Sequence, residues 1–176
     1  MADRKLKLMV GKSGSGKNYI CDLLGYSAIP SYTTRARRPN EHNGREHIFI
    51  TKETYEKMYR DTPLPALTYF HDNYYFATFE QIENPKYDVF IIDADGLDWI
   101  FECKAKGMFE RNLKIVLVYS PWYRRLWRMF KRGDGLKKVI SRLKNDRKAF
   151  DAKYIDSIIE RNKAKDLIDS VIILDN

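Results

Sequence analysis

The sequence predicts an α/β fold, an open parallel sheet with helices on both faces. Three observations carry this. Compact runs of branched and apolar residues recur along the chain, at Leu6 to Val10, Val89 to Ile92 and Leu113 to Tyr119. Helical patterns fill the gaps between them. A glycine-rich turn joins the first strand directly to a helix. The chain has 176 residues, of which 44% are hydrophobic and 32% charged. That balance suits one globular domain and excludes a disordered polymer.

Taken in order, Lys5 to Val10 reads as a strand with Leu6, Leu8 and Val10 on one side. Gly11 to Gly16 is a turn, and Lys17 to Leu24 a helix stopped by Gly25. Ser31 to Glu83 breaks the strand–helix rhythm with turn residues and aromatic pairs, and reads as an insertion that moves relative to the sheet. Val89 to Ile92 ends in Asp93, followed by a helix from Asp98 to Lys106. Leu113 to Tyr119 looks buried on both faces, as in a parallel sheet. Pro121 to Lys131 reads as a helix with Ser120 as N-cap and Pro121 at its first position. Leu136 to Lys165 supports one or two more helices, and Val171 to Leu174 is a last strand.

The longest apolar run, Ile115 to Tyr119, is far shorter than the ~20 residues a membrane span needs. The N-terminus lacks the apolar stretch of a signal peptide. With only Cys21 and Cys103 there is no disulfide framework, so a reducing, cytoplasmic setting is expected. The net charge of +8 is concentrated. Between Pro121 and Lys148, eleven Lys and Arg face only Asp134 and Asp146. An anionic partner is expected there, whether polyphosphate, nucleic acid or solvent counter-ions.

Gly11-Lys12-Ser13-Gly14-Ser15-Gly16-Lys17-Asn18 matches G-x-x-x-x-G-K between a strand and a helix. Such a loop turns backbone N–H groups toward phosphate oxygens, with Lys17 reaching the β- and γ-phosphates of a nucleotide. These eight residues are the expected ATP site. Ser or Thr normally follows the lysine and places a hydroxyl on Mg²⁺; here Asn18 offers a carbonyl oxygen instead. Asp93, at the end of a buried strand, is the second expected metal residue, through a bound water beside Asn18. Asp95 follows it.

From Ser31 to Gly44 the chain reads S-x-T-T-R-x-x-R-x-x-E-x-x-G. The guanidinium groups of Arg35, Arg37 and Arg38 suit a terminal phosphate. With the glycine-rich loop, this segment resembles guanylate kinase, a P-loop nucleoside monophosphate kinase. The likeness continues through Phe49, Asn73-Tyr74-Tyr75, Ile92-Asp93-Ala94-Asp95 and Arg128, Arg132 and Arg142. It implies a P-loop NTPase three-layer sandwich with a parallel central sheet, an NMP-binding insertion and a small arginine-bearing lid. The core would comprise residues 1–30, 84–126 and 145–176, the insertion 31–83 and the lid 127–144. Ser31, Arg35, Arg38 and Tyr75 would grip the acceptor's phosphate. His47 would do so too, where the family has tyrosine. Asp95 would face the base. Lys17, Arg38, Arg128, Arg132 and Arg142 would act in catalysis, with ATP and Mg²⁺ as donor and metal.

The base-reading set departs from the family. The glutamate expected seven residues before Asn73 is Ala66, and Gly-Ser/Thr after the tyrosines is replaced by Phe76, Ala77 and Thr78. Leu64-Pro65-Ala66-Leu67 suggests a more apolar base pocket. Asp175 and Asn176 fall near the family's adenine-contacting segment, and the family's closing helix does not follow them.

The leading expectation is an ATP-dependent kinase acting on GMP, dGMP or a related nucleoside monophosphate, as a monomer or homodimer with no membrane partner. A kinase of a phosphorylated sugar such as ribose 1,5-bisphosphate and a non-catalytic guanylate-kinase-like binding module are the alternatives. Nucleic acid is the least favoured partner. It would use Trp122, Tyr123 and Trp127 as stacking platforms, although these residues are expected to pack the helix instead.

Overall fold

The computed structural model describes residues 5–38, 41–45, 47–70, 72–133, 135–150, 152–163 and 171–176. The elements run β1 (Leu6–Val10), α1 (Lys17–Leu23), β2 (Ser31–Thr33), β3 (His47–Phe49), α2 (Lys52–Met58), β4 (Thr68–Phe70), β5 (Asn73–Phe76), α3 (Phe79–Glu83), β6 (Val89–Ile91), α4 (Ala94–Ala105), β7 (Leu113–Tyr119), α5 (Trp122–Lys131), α6 (Leu136–Ala149), α7 (Ala152–Lys163) and β8 (Val171–Asp175).

The central sheet has the order β6-β1-β7-β8 and is parallel throughout. Alternation along β1 divides the core into two layers. Leu6, Leu8 and Val10 pack with Phe90, Ile115, Leu97 and Ile100, and with Ile155, Ile158 and Ile159 of α7. Met9 and Val116 face the other way, against Ile20 and Cys21 of α1. Helices therefore cover both faces, as the sequence predicts. Every loop at the C-terminal edge of this sheet opens toward the same side, where open α/β sheets bind ligands.

The insertion forms its own sheet, of order β3-β2-β5-β4. Strand β2 runs parallel to β3 and antiparallel to β5, which also pairs antiparallel with β4. Its back is sealed by aromatic packing. Tyr55 of α2 stacks on Tyr74 at 3.9 Å between ring centroids, and Tyr32 stacks on Phe76 at 5.1 Å. Tyr32, Tyr55, Tyr59 and Tyr74 thus serve a small separate core around Tyr55, Leu64 and Phe76.

Local differences from the sequence reading have local causes. Helix α4 begins at Ala94 rather than Asp98, because the Asp93 carboxylate accepts from Gly96 N–H at 2.8 Å and caps it. Helix α5 begins at Trp122 with Pro121 in the cap position, and Ser120 does not cap it. The Ser120 hydroxyl instead accepts from Arg128 at 3.2 Å. Trp122, Tyr123 and Trp127 do not pack the helix; they are exposed, at 67%, 55% and 62%. The region from Leu136 forms two helices, and its expected continuation to Lys165 lies outside the described residues from position 164. Leu64 and Ala66 are core residues, not pocket lining. Ala66 adopts φ 57°, and its Cβ lies against Gly96. No helix among the described residues is long and apolar enough to cross a membrane.

One buried cation holds the approach to β6. Arg111 donates to the carbonyls of Ile82, Asn84 and Tyr87 at 2.9, 3.0 and 2.5 Å. It thereby ties the α3–β6 connection to the start of β7. Arg111→Leu strands these acceptors, and a loss of about 2–4 kcal/mol is expected as a lower denaturant midpoint. An unchanged midpoint would show that the connection is held by other contacts.

Candidate active site

The phosphate loop is built by glycine geometry. Gly14 and Gly16 have φ values of 76° and 92°, a region that disfavours side chains. A Cβ on Gly14 would also sit 2.8 Å from the Arg125 carbonyl. Lys17 folds back over the loop and donates to the Gly11 carbonyl at 2.6 Å and the Lys12 carbonyl at 3.4 Å. Burial lowers its pKa to about 8, against the opposing pull of Asp146 and Asp93. Ser15 Oγ is buried inside the loop without a hydrogen-bond partner.

The loop opens on a cavity of about 720 Å³. Gly11, Ser13 and Lys17 form its floor, with Ile92, Asp93 and Asp95 at the sheet edge. Arg35, Arg38, His47, Phe70 and Tyr75 of the insertion form the facing wall. Arg142, Asn145, Asp146 and Phe150 close the side toward α6. Residues from four separate stretches thus converge on one space, with cations contributed by three of them: Lys17, Arg35 with Arg38, and Arg142.

The insertion's arginines are held in place by one acid. Arg35 makes a bidentate pair with Glu41 at 2.9 Å for each bond. Arg38 adds its backbone N–H at 2.9 Å and its guanidinium at 3.3 Å. Burial pushes the Glu41 pKa up, but the bonds from Arg35 and Arg38 outweigh it and hold the carboxyl down at about 2. Arg38 has its pKa lowered by burial and by the charge of Arg35. His47 Nδ1 lies 2.8 Å from the Ser31 hydroxyl. Burial and the Arg35 charge lower its pKa, so the ring is neutral at pH 7 and serves as a hydrogen-bonding group. Two guanidinium groups crowded beside each other, with one carboxylate between them, form a ready site for a dianion.

Other expected residues lie elsewhere. Arg128 does not line the cavity. It braces the loop from outside, donating to the Gly14 and Ser15 carbonyls at 3.2 Å each. Arg142 lines the cavity, and Arg132, though exposed, is near enough that its charge acts on both Lys17 and Arg38. Asn18 is exposed and lines a second, adjoining cavity of about 430 Å³ with Ser31 and His47. Asp93 is reached by water but walled in by protein, which raises its pKa. Among the described residues no group of three His, Cys, Asp or Glu could hold a metal alone. Asp93 and Asp95 still offer the one or two hard oxygen donors that suffice for Mg²⁺ arriving on phosphates. Residues 64–67, expected to make an apolar base pocket, are not among the cavity's lining residues, whose apolar members include Phe70 and Ile92. The Thr78 hydroxyl caps α3, accepting from Gln81 N–H at 3.3 Å. Arg125 and Asp146, which no motif marks, are the most buried charged pair at the site, at 7% and 8% side-chain exposure. Their only sequence signal is that Asp146 is one of two acids in an otherwise cationic segment.

Comparison with known proteins agrees with this geometry. The guanylate kinase family model matches residues 3–172. The chain is 30% identical to the guanylate kinase of Brucella melitensis over 162 residues, covering 84% of this chain and 70% of that protein. It is also 30% identical to that of Oceanobacillus iheyensis over 183 residues, covering 94% and 84%. The crystal structure of guanylate kinase from Anaplasma phagocytophilum superposes with a TM-score of 0.56 at 16% identity, over 98% of this chain and 78% of the other, a likeness of fold. A family match across nearly the whole chain, on a parallel sheet carrying this loop and this arginine wall, means that the protein belongs to the guanylate kinase family of nucleoside monophosphate kinases.

Proposed function

We propose that the protein transfers the γ-phosphate of ATP to the 5′-phosphate of GMP, dGMP or a related (deoxy)nucleoside monophosphate. The observation that carries this reading is that Lys17 and the Arg35–Arg38 pair line one and the same cavity. ATP lies along the loop from Gly11 to Asn18, with Lys17 on its terminal phosphates. The acceptor's phosphate is gripped by Arg35, Arg38, His47, Tyr75 and, from the adjoining cavity, Ser31. Its base lies between Phe70 and Ile92, with Asp95 as the polar reader. An acceptor phosphate oxygen attacks the γ-phosphorus, forming one O–P bond as the bond to the β-phosphate oxygen breaks. No protein nucleophile is needed; alignment and charge neutralisation supply the acceleration. Asp93 and Asn18 would hold the Mg²⁺ that comes with ATP, which would supply further neutralisation of phosphate charge. The lid, residues 127–144, brings Arg132 and Arg142 toward the phosphates, while Arg128 acts on the loop through the Gly14 and Ser15 carbonyls.

A phosphorylated sugar belongs in the same assay panel for a specific reason. The position of the family's guanine-reading glutamate, Ala66, is packed in the core, and the Thr78 hydroxyl is committed to a helix cap. Base discrimination therefore rests on Asp95 and falls short of the ~10⁴–10⁵ available to a fully hydrogen-bonded site.

Transfer from ATP should be measured with each ribo- and deoxynucleoside monophosphate and with ribose 1,5-bisphosphate. Preference for a purine monophosphate supports the reading. Exclusive use of the sugar phosphate overturns the acceptor, and absence of Mg²⁺-dependent ATP binding overturns the enzyme. Lys17→Ala is expected to lower kcat by about 10³-fold or more. Arg38→Ala should chiefly raise the acceptor's KM and leave that of ATP unchanged. Because the Lys17 pKa is depressed to about 8, the ammonium is lost as pH rises through that value. The kcat/KM for ATP should therefore fall above about pH 8. A profile flat to pH 10 would mean that the charge of Lys17 is not used.

A further inference from the structure

Ser13 of the phosphate loop is held by an ion pair drawn from two helices. Asp146 of α6 accepts from the Ser13 N–H at 3.0 Å through Oδ2 and from the Ser13 hydroxyl at 3.1 Å through Oδ1. Arg125 of α5 donates from Nε to the Ser13 carbonyl at 2.9 Å and from Nη2 to Asp146 at 2.6 Å. Every polar group of Ser13 is thereby fixed from outside the loop. Two desolvated charges are a poor way to glue helices together, since apolar side chains of similar volume do so as well or better. Apolar side chains cannot, however, grip an N–H, a hydroxyl and a carbonyl at once. The pair also sits at a mechanical junction. Arg142 lies four residues before Asp146, on the same helix face, and both line the cavity.

We propose that Arg125 and Asp146 are positioning residues for phosphoryl transfer, clamping Ser13 to the base of the lid so that the phosphate loop and Arg142 keep a fixed separation. Neither residue touches the reacting atoms. Asp146 is anchored while the helix N-terminal to it carries Arg142 over the site, so the clamp is the fixed point about which the lid's arginine is aimed. The inference rests on the kinase reading above.

The decisive variant is Arg125→Leu with Asp146→Leu, which removes both charges together and leaves no lone buried ion. Melting temperature, ATP affinity by calorimetry, and kcat and KM for both substrates are measured against the wild type. The clamp predicts a melting temperature within a few degrees of wild type, about tenfold or more loss in both ATP affinity and kcat, and an unchanged acceptor KM. Wild-type ATP affinity and kcat would overturn it. So would losses spread equally over both substrates, which mark a general loosening of the fold. Asp146→Asn covers the case in which the double variant does not fold. It keeps the shape and one acceptor for Ser13 but loses the charge, and an intermediate loss confined to ATP affinity and kcat is expected. Wild-type values in Asp146→Asn with the fold intact would also overturn the clamp. The calorimetric arm reads the loop without turnover, so an inactive wild type that still binds ATP sinks the acceptor assignment and leaves the clamp open to measurement.

Discussion

A loop that aims its N–H groups at an anion must dispose of its carbonyl groups elsewhere. The oxygens of Gly11, Lys12, Ser13, Gly14 and Ser15 each accept a bond from a side chain: from Lys17, Arg125, Arg128 and Asn176. Most of these donors are cations. They draw the negative ends of the peptide dipoles outward and leave positive ends for a ligand, apart from the Ser13 N–H held by Asp146 and the Ser15 N–H held by the Lys12 carbonyl. The glycine torsions at 14 and 16 give the loop its shape. The ring of donors behind it keeps that shape without a bound phosphate. Preorganisation of this kind means that charge stabilisation need not await rearrangement at the moment of reaction.

The same logic governs the insertion. Glu41 pairs with Arg35 and Arg38 and holds two like charges side by side that would otherwise swing apart. The aromatic core behind β2 and β5 gives this wall a rigid backing. The cavity is thus lined by structurally separate parts. The parallel sheet fixes Lys17 and Asp93, the small sheet carries the arginine wall, and α6 carries Arg142. A kinase needs this division, because water must be expelled once both substrates are in place.

Much of this was legible in residue order. The strands follow from branched apolar runs, and the glycine-rich loop from its spacing between strand and helix. Arg35 and Arg38 stand out as guanidinium groups beside hydroxyl residues. These are local signals, and each concerns residues a few positions apart. The Arg125–Asp146 pair was not legible, since its members stand 112 and 133 positions from the loop residue they hold. The contacts of Arg128 were hidden for a related reason, in that sequence marks a cation but not the carbonyls it will meet. Asp93 shows a competition that sequence cannot resolve, because the same carboxylate serves as helix cap and as cavity wall. The aromatics of α5, expected to pack the helix, are exposed instead. Their exposure reflects a helix whose inward face is already filled by Arg125 and Met129.

The central claim is that two anionic substrates lie end to end across one cavity, between the loop and the arginine wall. A dinucleoside polyphosphate that joins adenosine to the acceptor nucleoside through the full phosphate chain tests this most directly, by calorimetry against ATP and the monophosphate alone. If both ends engage together, the linked molecule binds more tightly than either part by about 10²-fold or more. Affinity no better than that of ATP would place the two sites too far apart, or facing away from each other, and would contradict the account.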